Sequence, residues 1–373
     1  MKIGILSMQR IKNYGSFLQA FALKKTLEEL GGQVEFIDYK IEPPKVNNNI
    51  QEKKIGTLRR ISMIPYKVFN KDYWRLRKLN ANNDFNERYE EFLKDLNVRS
   101  EYNYDTSKLD MLVIGSDEVF NCLQSNPDVG YSKDLFGYSS KAKRLISYAG
   151  SFGTTTLEKL DKYNCKEEIA QMLQRFDDIS VRDENSGEII KELVHREPNY
   201  NVDPVFLYDF FDYIKDVDVK LNNYIVVYAY GGRITEEEQV EIKKFARRYN
   251  KKLVSIGTVQ SFCEINIVLS PFELLAYIKN ADFVITDTFH GSVFSIKYNK
   301  KFATIIRESN KQKLGDLLKR FDVYDRRVEK ISDLENVINK EINYIEVNKL
   351  IDEKIKDAKM YLQKNINEVT KSK

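Results

Sequence analysis

Two histidines occur in the chain, and they stand in different kinds of sequence. His195 lies in KELVHREPN, a polar stretch that reads as the exposed end of a surface helix. His290 lies in VITDTFHGSVFS, where an apolar run breaks into small and polar residues and a new helical pattern begins at once. An imidazole placed there sits at the carboxyl end of a strand and the amino end of a helix. It can act as a general acid or base beside an anion held by backbone amides. The plainer alternative is that Asp287 or Thr288 caps the helix and His290 is satisfied locally.

Other apolar runs end in a similar way. Residues 111–114 are followed by Gly115, Ser116, Asp117 and Glu118, where the acidic pair can serve a reaction, or Ser116 or Asp117 can cap a helix. Arg182 directly follows residues 179–181, and its planar guanidinium suits phosphate or carboxylate, with a salt bridge to Asp183 or Glu184 as the alternative. Asn13 and Gly15 follow the first apolar run and can bring backbone N–H groups to an anion at a helix start. Their loop has neither the GxGxxG nor the GxxxxGKS spacing of dinucleotide and P-loop sites.

These positions require a scaffold of strands and helices. Residues 3–6 read as a strand, 16–30 as a helix stopped by Gly31 and Gly32, and 34–38 as the next strand, a βαβ opening that implies a parallel sheet. Further strands are expected at 111–114, 144–148 and 179–181, with 201–206 closing this half. After a polar boundary at 209–223, strands are expected at 224–228, 253–256, 283–286 and 302–306, with helices at 236–249, 271–279 and 291–297. The reading is therefore an α/β protein with an N-terminal domain over 1–210, interrupted by a basic, helical insertion at about 45–105, and a second domain over 222–330. A helical segment over 331–373 is expected to pack back on the first domain through an apolar stripe at 345–362. Ligands of two such sheets bind beyond the carboxyl ends of the strands, in the cleft between them.

A length of 373 residues suits two domains, and 42% hydrophobic with 31% charged residues describes a folded, soluble chain. A net charge of +4 without a continuous basic stripe speaks against nucleic acid as a partner. Cys122, Cys165 and Cys263 are far apart and odd in number, which suggests neither a disulfide framework nor a zinc site, and points to a reducing, cytoplasmic compartment. The opening residues read as a strand rather than a secretory signal, and no run has the roughly 20 apolar residues of a membrane helix. Residues 51–80 carry nine basic side chains against Glu52 and Asp72, together with Phe69, Tyr73 and Trp74. Two readings of them stand: a peripheral contact with anionic lipid, and a solvated helical face.

Seven strings in order, KNYGSFLQAFAL, VIGSDEVFN, SYAGSFG, SVRDENSG, VDPVFL, SPFELLAYIKNADFVITDTFHGSVFSI and RESNKQKLGDLL, resemble the motifs of the polysaccharide pyruvyltransferase family, over residues 1 to about 327. The resemblance implies two Rossmann-like parallel-sheet domains in a GT-B-like arrangement. It implies phosphoenolpyruvate as donor, a glycan or undecaprenyl-linked saccharide as acceptor, and no metal or redox cofactor. His290 matches the family's essential histidine and Arg182 an arginine that binds donor. Thr288 and Phe289 stand where some members have an Arg-Leu pair, the arginine binding donor. Arg307, Asn310 and Lys311, after the next strand, are the residues expected to supply the missing positive charge, and Ser116 and Ser151 of the matched strings are expected to line the site. On this reading His290 protonates the donor's methylene carbon, while Asp117 and Glu118 take protons from the acceptor hydroxyls. The expected place of action is the cytoplasm, peripheral to the inner face of the membrane if the acceptor is lipid-linked. Two rival readings share the fold: a glycosyltransferase using a nucleotide sugar, and a noncatalytic glycan-binding protein.

Overall fold

In the computed structural model, residues 1–46 and 84–371 are described. Their strands form two six-stranded sheets in which every pairing is parallel. The first holds β1 (Lys2–Leu6), β2 (Gln33–Ile37), β3 (Met111–Asp117), β4 (Arg144–Gly150), β5 (Ser180–Val181) and β6 (Asn199–Tyr200), in the order β2-β1-β3-β4-β5-β6. The second holds β7 (Tyr224–Tyr228), β8 (Lys252–Ile256), β9 (Ile265–Ile267), β10 (Phe283–Thr286), β11 (Lys301–Ile305) and β12 (Arg327–Val328), in the order β12-β11-β10-β7-β8-β9. Central strands such as β3, whose residues are all buried, are apolar on both faces because helices cover both. In each sheet the winding reverses once, between β1 and β3 in the first and between β7 and β10 in the second. Such reversals open a crevice at the strands' carboxyl ends.

The helices are α1 (Tyr14–Glu29), α2 (Asp84–Asp95), α3 (Leu157–Lys162), α4 (Lys166–Leu173), α5 (Glu184–Val194), α6 (Phe211–Ile214), α7 (Glu236–Arg248), α8 (Pro271–Asn280), α9 (Phe289–Lys297), α10 (Lys311–Arg320), α11 (Leu334–Asn339) and α12 (Tyr344–Lys371). Helix α1 is buried nearly all round, from Tyr14 through Lys24 and again at Thr26 and Leu27, because it lies between the first sheet and the second domain. Phe17 and Phe21 of α1 meet Phe272 of α8, with ring centroids 5.9 and 5.0 Å apart, so one apolar cluster runs through both domains. Helix α10 also crosses the cleft. Lys313 pairs with Glu118, Asp316 accepts the Glu184 amide at the start of α5, and Arg320 donates to the Asn201 carbonyl. The spacing i, i+3, i+7 puts all three on one helix face.

Helix α12 returns to the first sheet. Its buried residues Val347, Ala358, Tyr361, Leu362, Asn365, Ile366 and Val369 form a single stripe. Tyr361 Oη donates to the Ser147 carbonyl at 2.8 Å, and Arg144 Nε donates to Asn365 Oδ1 at 2.9 Å.

Several expected boundaries differ. Strand β3 does not stop at Ile114 but runs through Ser116 and Asp117, so neither residue caps a helix. Residues 201–206 are not a strand: β6 ends at Tyr200, and Asp203 Oδ1 caps a 3-10 turn over Pro204–Phe206, where proline cannot donate to a sheet. Helix α9 starts at Phe289, two residues early, because Thr288 is its cap. His195 closes α5 in the left-handed conformation, at φ 55, and is exposed. The basic patch at 51–80 with Trp74, and with it the suggested lipid contact, lies outside the described residues. Among the described residues no helix is long and apolar enough to cross a membrane.

Removing the Tyr361 hydroxyl leaves a buried carbonyl without its donor. Tyr361→Phe is expected to cost about 1 to 2 kcal/mol in urea unfolding of the full chain. An unchanged midpoint would show that the return of α12 contributes nothing through this bond.

Candidate active site

The two winding reversals face one another, and the side chains that follow them enclose a cavity of about 260 Å³. Asn13 comes from beyond β1, Asp117 and Glu118 from the end of β3, Tyr230 and Arg233 from beyond β7, and Asp287 to His290 from beyond β10. Arg182 enters from the end of β5, and Asn310 and Lys313 from the start of α10.

His290 is the second residue of α9, and its ring crosses the cleft to lie on α1. A Cβ on Gly15 would fall 2.1 Å from His290 Nδ1, so the imidazole rests where only glycine leaves room. Phe294 stacks on the ring's flank at 6.0 Å. His290 Nε2 is 3.4 Å from Asp203 Oδ2, close enough for an ion pair when the ring is protonated. That contact is not aligned as a hydrogen bond, and Nε2 has no such partner among the described residues.

Arg182 is buried between carboxylates, its side chain 2% exposed. It meets Asp117 Oδ1 at 3.2 Å and Asp203 Oδ2 at 3.4 Å, and lies over the Phe289 ring at 4.3 Å. Its expected neighbours Asp183 and Glu184 are not its partners in either contact. Asp183 instead caps α5 and accepts from Ser151 Oγ and Ser186 Oγ. Asp117 stands at φ 79, in the left-handed region that favours glycine, a strain of the kind that accumulates at functional sites. Burial alone would raise its carboxyl pKa. The Arg182 guanidinium, His290 and the Ser16 hydroxyl outweigh that and hold it at about 2.

Glu118 accepts from Lys313 Nζ at 2.6 Å and from Asn121 Nδ2 at 2.8 Å. Burial pushes its carboxyl up, but Lys313 prevails and leaves it below the ordinary range. Asp287 goes the other way: burial raises its pKa, its Oδ1 accepts the Tyr230 amide, and Arg307 Nε stands 3.6 Å from Oδ2 without making a hydrogen bond.

The expected site residues therefore separate into two groups. Asn13, Asp117, Glu118, Arg182, Thr288, Phe289, His290 and Asn310 line the cavity, and Gly15 lies beneath the imidazole. Four others do not. Ser116 is wholly buried within β3, and Ser151 is turned to Asp183 and the Gly153 amide. Arg307 is held bidentate by Glu238 at 2.6 and 2.8 Å, and Lys311 points outward beside Glu308. The expected amides of the first loop are also taken, since Asn13 Oδ1 accepts from Gly15 N and Ser16 N. Positive charge comes instead from Lys313 and Arg233. Lys313 is two residues beyond Lys311, about 200° round a helix, so helical phase alone separates the inward lysine from the outward one. Arg233 and Tyr230 follow β7 directly, and the strand-end rule applied to that strand would have found them. Asp203 lies inside VDPVFL, with no sign in the sequence of which charges it would meet.

A larger groove of about 1340 Å³ adjoins the cavity over the first sheet and shares Asp117, Glu118 and Tyr230 with it. Among the described residues no group of three His, Cys, Asp or Glu side chains is placed to hold a metal ion.

Comparison with known proteins adds the following. A family model described as polysaccharide pyruvyl transferase matches residues 13–309. No curated protein matches the chain. Solved structures similar to it include UDP-GlcNAc 2-epimerase from Neisseria meningitidis bound to UDP-GlcNAc, at 10% identity over 100% of each chain with a TM-score of 0.49. Another is an S. aureus MnaA–UDP co-structure, at 10% identity over 90% of this chain and 86% of that one, with a TM-score of 0.46. A third is Acinetobacter baumannii MurG, at 10% identity over 98% of this chain and 99% of that one, with a TM-score of 0.43.

Gly15→Ala is expected to displace the His290 ring and to destabilise the protein by roughly 1 to 3 kcal/mol through overpacking. With only two histidines to assign, the ring resonances of His290 should move while those of His195 stay, and unmoved resonances would deny the contact. Asp117 makes a second test. Its folded pKa, about 2, lies below the roughly 3.9 of an unfolded chain, so its stabilisation is complete above that value and disappears as pH falls through 2. Asp117→Asn should cost about 2 kcal/mol near neutral pH and flatten the stability curve between about pH 4 and 2. An acid limb identical to that of the unaltered protein would contradict the Arg182 pairing.

Proposed function

This chain belongs to the polysaccharide pyruvyl transferase family, and from that membership we propose that it moves pyruvate from phosphoenolpyruvate onto two hydroxyls of a glycan or lipid-linked saccharide, as a ketal, with release of phosphate. The observation that carries the reading is the placement of His290. Its Nε2 is buried, lacks a hydrogen-bond partner among the described residues, and borders a small polar cavity that also holds Arg182 and Lys313. An acid beside cations is what an enol phosphate needs.

In the proposed reaction the imidazolium of His290 gives its proton to the donor's methylene carbon. The neighbouring carbon then accepts an oxygen from one sugar hydroxyl, its bond to the phosphate oxygen breaks, and the second hydroxyl closes the ketal. Two hydroxyl protons are lost: one restores the proton His290 gave, and the other leaves on phosphate. Donor and acceptor thus become ketal and hydrogen phosphate with no redox step and no cofactor.

The side chains take unequal parts. Asp117, ionised down to about pH 2, is a weak proton acceptor, so its part is to hold Arg182 and Ser16 in place. Arg182, with its Nε free of hydrogen bonds among the described residues, faces the donor's carboxylate. Thr288 has no charge to offer. It caps α9 through the Gly291 amide at 2.9 Å, while Phe289 covers Arg182. The acceptor lies in the larger groove, which opens from Asp117, Glu118 and Tyr230 at the cavity and has the exposed Tyr102 and Tyr163 along its lining.

Incubation with phosphoenolpyruvate and candidate saccharides should release phosphate and raise the saccharide's mass by pyruvate less water. Phosphoenolpyruvate, not a UDP-sugar, should protect the protein against heat, and the reverse pattern would favour a glycosyltransferase. His290→Gln is expected to lower transfer by at least about a hundredfold while the melting temperature holds. Turnover near that of the unaltered enzyme would remove His290 from the acid role.

A further inference from the structure

Consecutive residues at the start of α1 each make a different contact. Asn13 caps the helix, Gly15 receives the His290 ring, and Ser16 Oγ donates at 2.8 Å to Asp117 Oδ2, the carboxylate that holds Arg182. Tyr14 is the one whose side chain leaves its own domain. Its Oη donates to the Leu269 carbonyl at 2.7 Å and accepts the Leu269 amide at 3.2 Å. One hydroxyl thus answers both backbone groups of a residue in the second domain, out of water, with Tyr14 only 3% exposed. Its ring lies against Gly257, at φ 79, where a Cβ would fall 2.5 Å from Tyr14 Cε2.

The two interdomain contacts are reciprocal. The second domain sends His290 onto Gly15, and the first sends the neighbouring Tyr14 onto Gly257. Between them lies a mostly apolar cavity of about 140 Å³ whose lining includes Tyr14, Ile256, Gly257, Thr288 and His290. The imidazole is therefore packed on its Gly15 and Phe294 sides and borders open space toward Tyr14. Groups beside such a space relax into it when a neighbour loosens. Leu269 also stands directly before Ser270, the cap of α8, so the Tyr14 hydroxyl fixes the start of the helix whose Phe272 meets Phe17 and Phe21.

We propose that Tyr14 is a positioning residue for the transfer: docked on Leu269 and Gly257, it sets where the His290 ring stands relative to the donor. The inference rests on the donor reading above. Tyr14 lines neither the donor cavity nor the larger groove, so its effect passes through His290 and not through contact with either substrate. Proton delivery to a carbon atom requires close alignment, and a small misplacement of the acid slows it steeply.

Tyr14→Phe keeps the ring and removes the hydroxyl. It is expected to lower kcat about tenfold while KM for phosphoenolpyruvate holds, because Arg182 and Lys313 are untouched. Gly257→Ala presses on the same ring from the second domain and should lower kcat in the same way. Tyr361→Phe is the control: it too takes a buried hydroxyl from a backbone carbonyl, and it should cost stability but leave kcat unchanged. In NMR spectra the ring resonances of His290 should move in Tyr14→Phe and stay in Tyr361→Phe, with those of His195 unmoved in both. Unmoved His290 resonances in Tyr14→Phe, an undiminished kcat in that variant, or an equal loss of kcat in Tyr361→Phe overturns the proposal. A higher KM with kcat held does so as well. If the unaltered protein turns over no phosphoenolpyruvate, the donor reading fails, while moved His290 resonances in Tyr14→Phe still support the placement of the ring by Tyr14.

Discussion

An imidazole lying against a backbone that carries no side chain is the contact on which the cavity depends. Gly15 belongs to the first domain and His290 to the second, so the ring is placed by how the two domains meet rather than by its own loop. That meeting is rigid because α1 is buried between the first sheet and α8, with Phe17 and Phe21 set against Phe272. Close-packed interiors do not slide continuously, and the relation of His290 to Arg182 inherits their precision.

Charge is the second constraint. Arg182 is removed from water at a cost that Asp117 and Asp203 offset, and the same two carboxylates face the imidazole. The cluster is thus balanced before any ligand arrives. Glu118 and Lys313 balance each other a little further out, across the domain boundary. A site built from compensated pairs keeps its buried charges stable in the empty protein.

Both constraints follow from topology. Each sheet reverses its winding once, and the loops at the two reversals are opposed. Helix α10 ties one side of the cleft through Lys313, Asp316 and Arg320, and α12 carries the chain's end back to β4 through Tyr361 and Asn365. Function collects at the carboxyl edges because there the strand amides and carbonyls give way to loops, while the apolar faces below are consumed by packing.

Much of this plan could be read from the residues. Apolar runs of strand length alternating with helical periodicity determined two parallel-sheet domains, and the small and polar residues after 114, 181 and 286 marked where a site would form. The strings around His290 and Arg182 carried the family resemblance. Other features were not legible. That Arg307 is spent on Glu238 and Lys311 points to solvent, while Lys313 faces the cavity, depends on the phase of α10 and on what the opposite domain presents. Arg182 meeting Asp117 and Asp203, 65 and 21 residues away in the chain, depends on strand order across the first sheet. Periodicity is a local property of the chain and so survives in one dimension. The partner of a charge is set by distances between segments that only packing brings together, and those the tertiary structure alone decided.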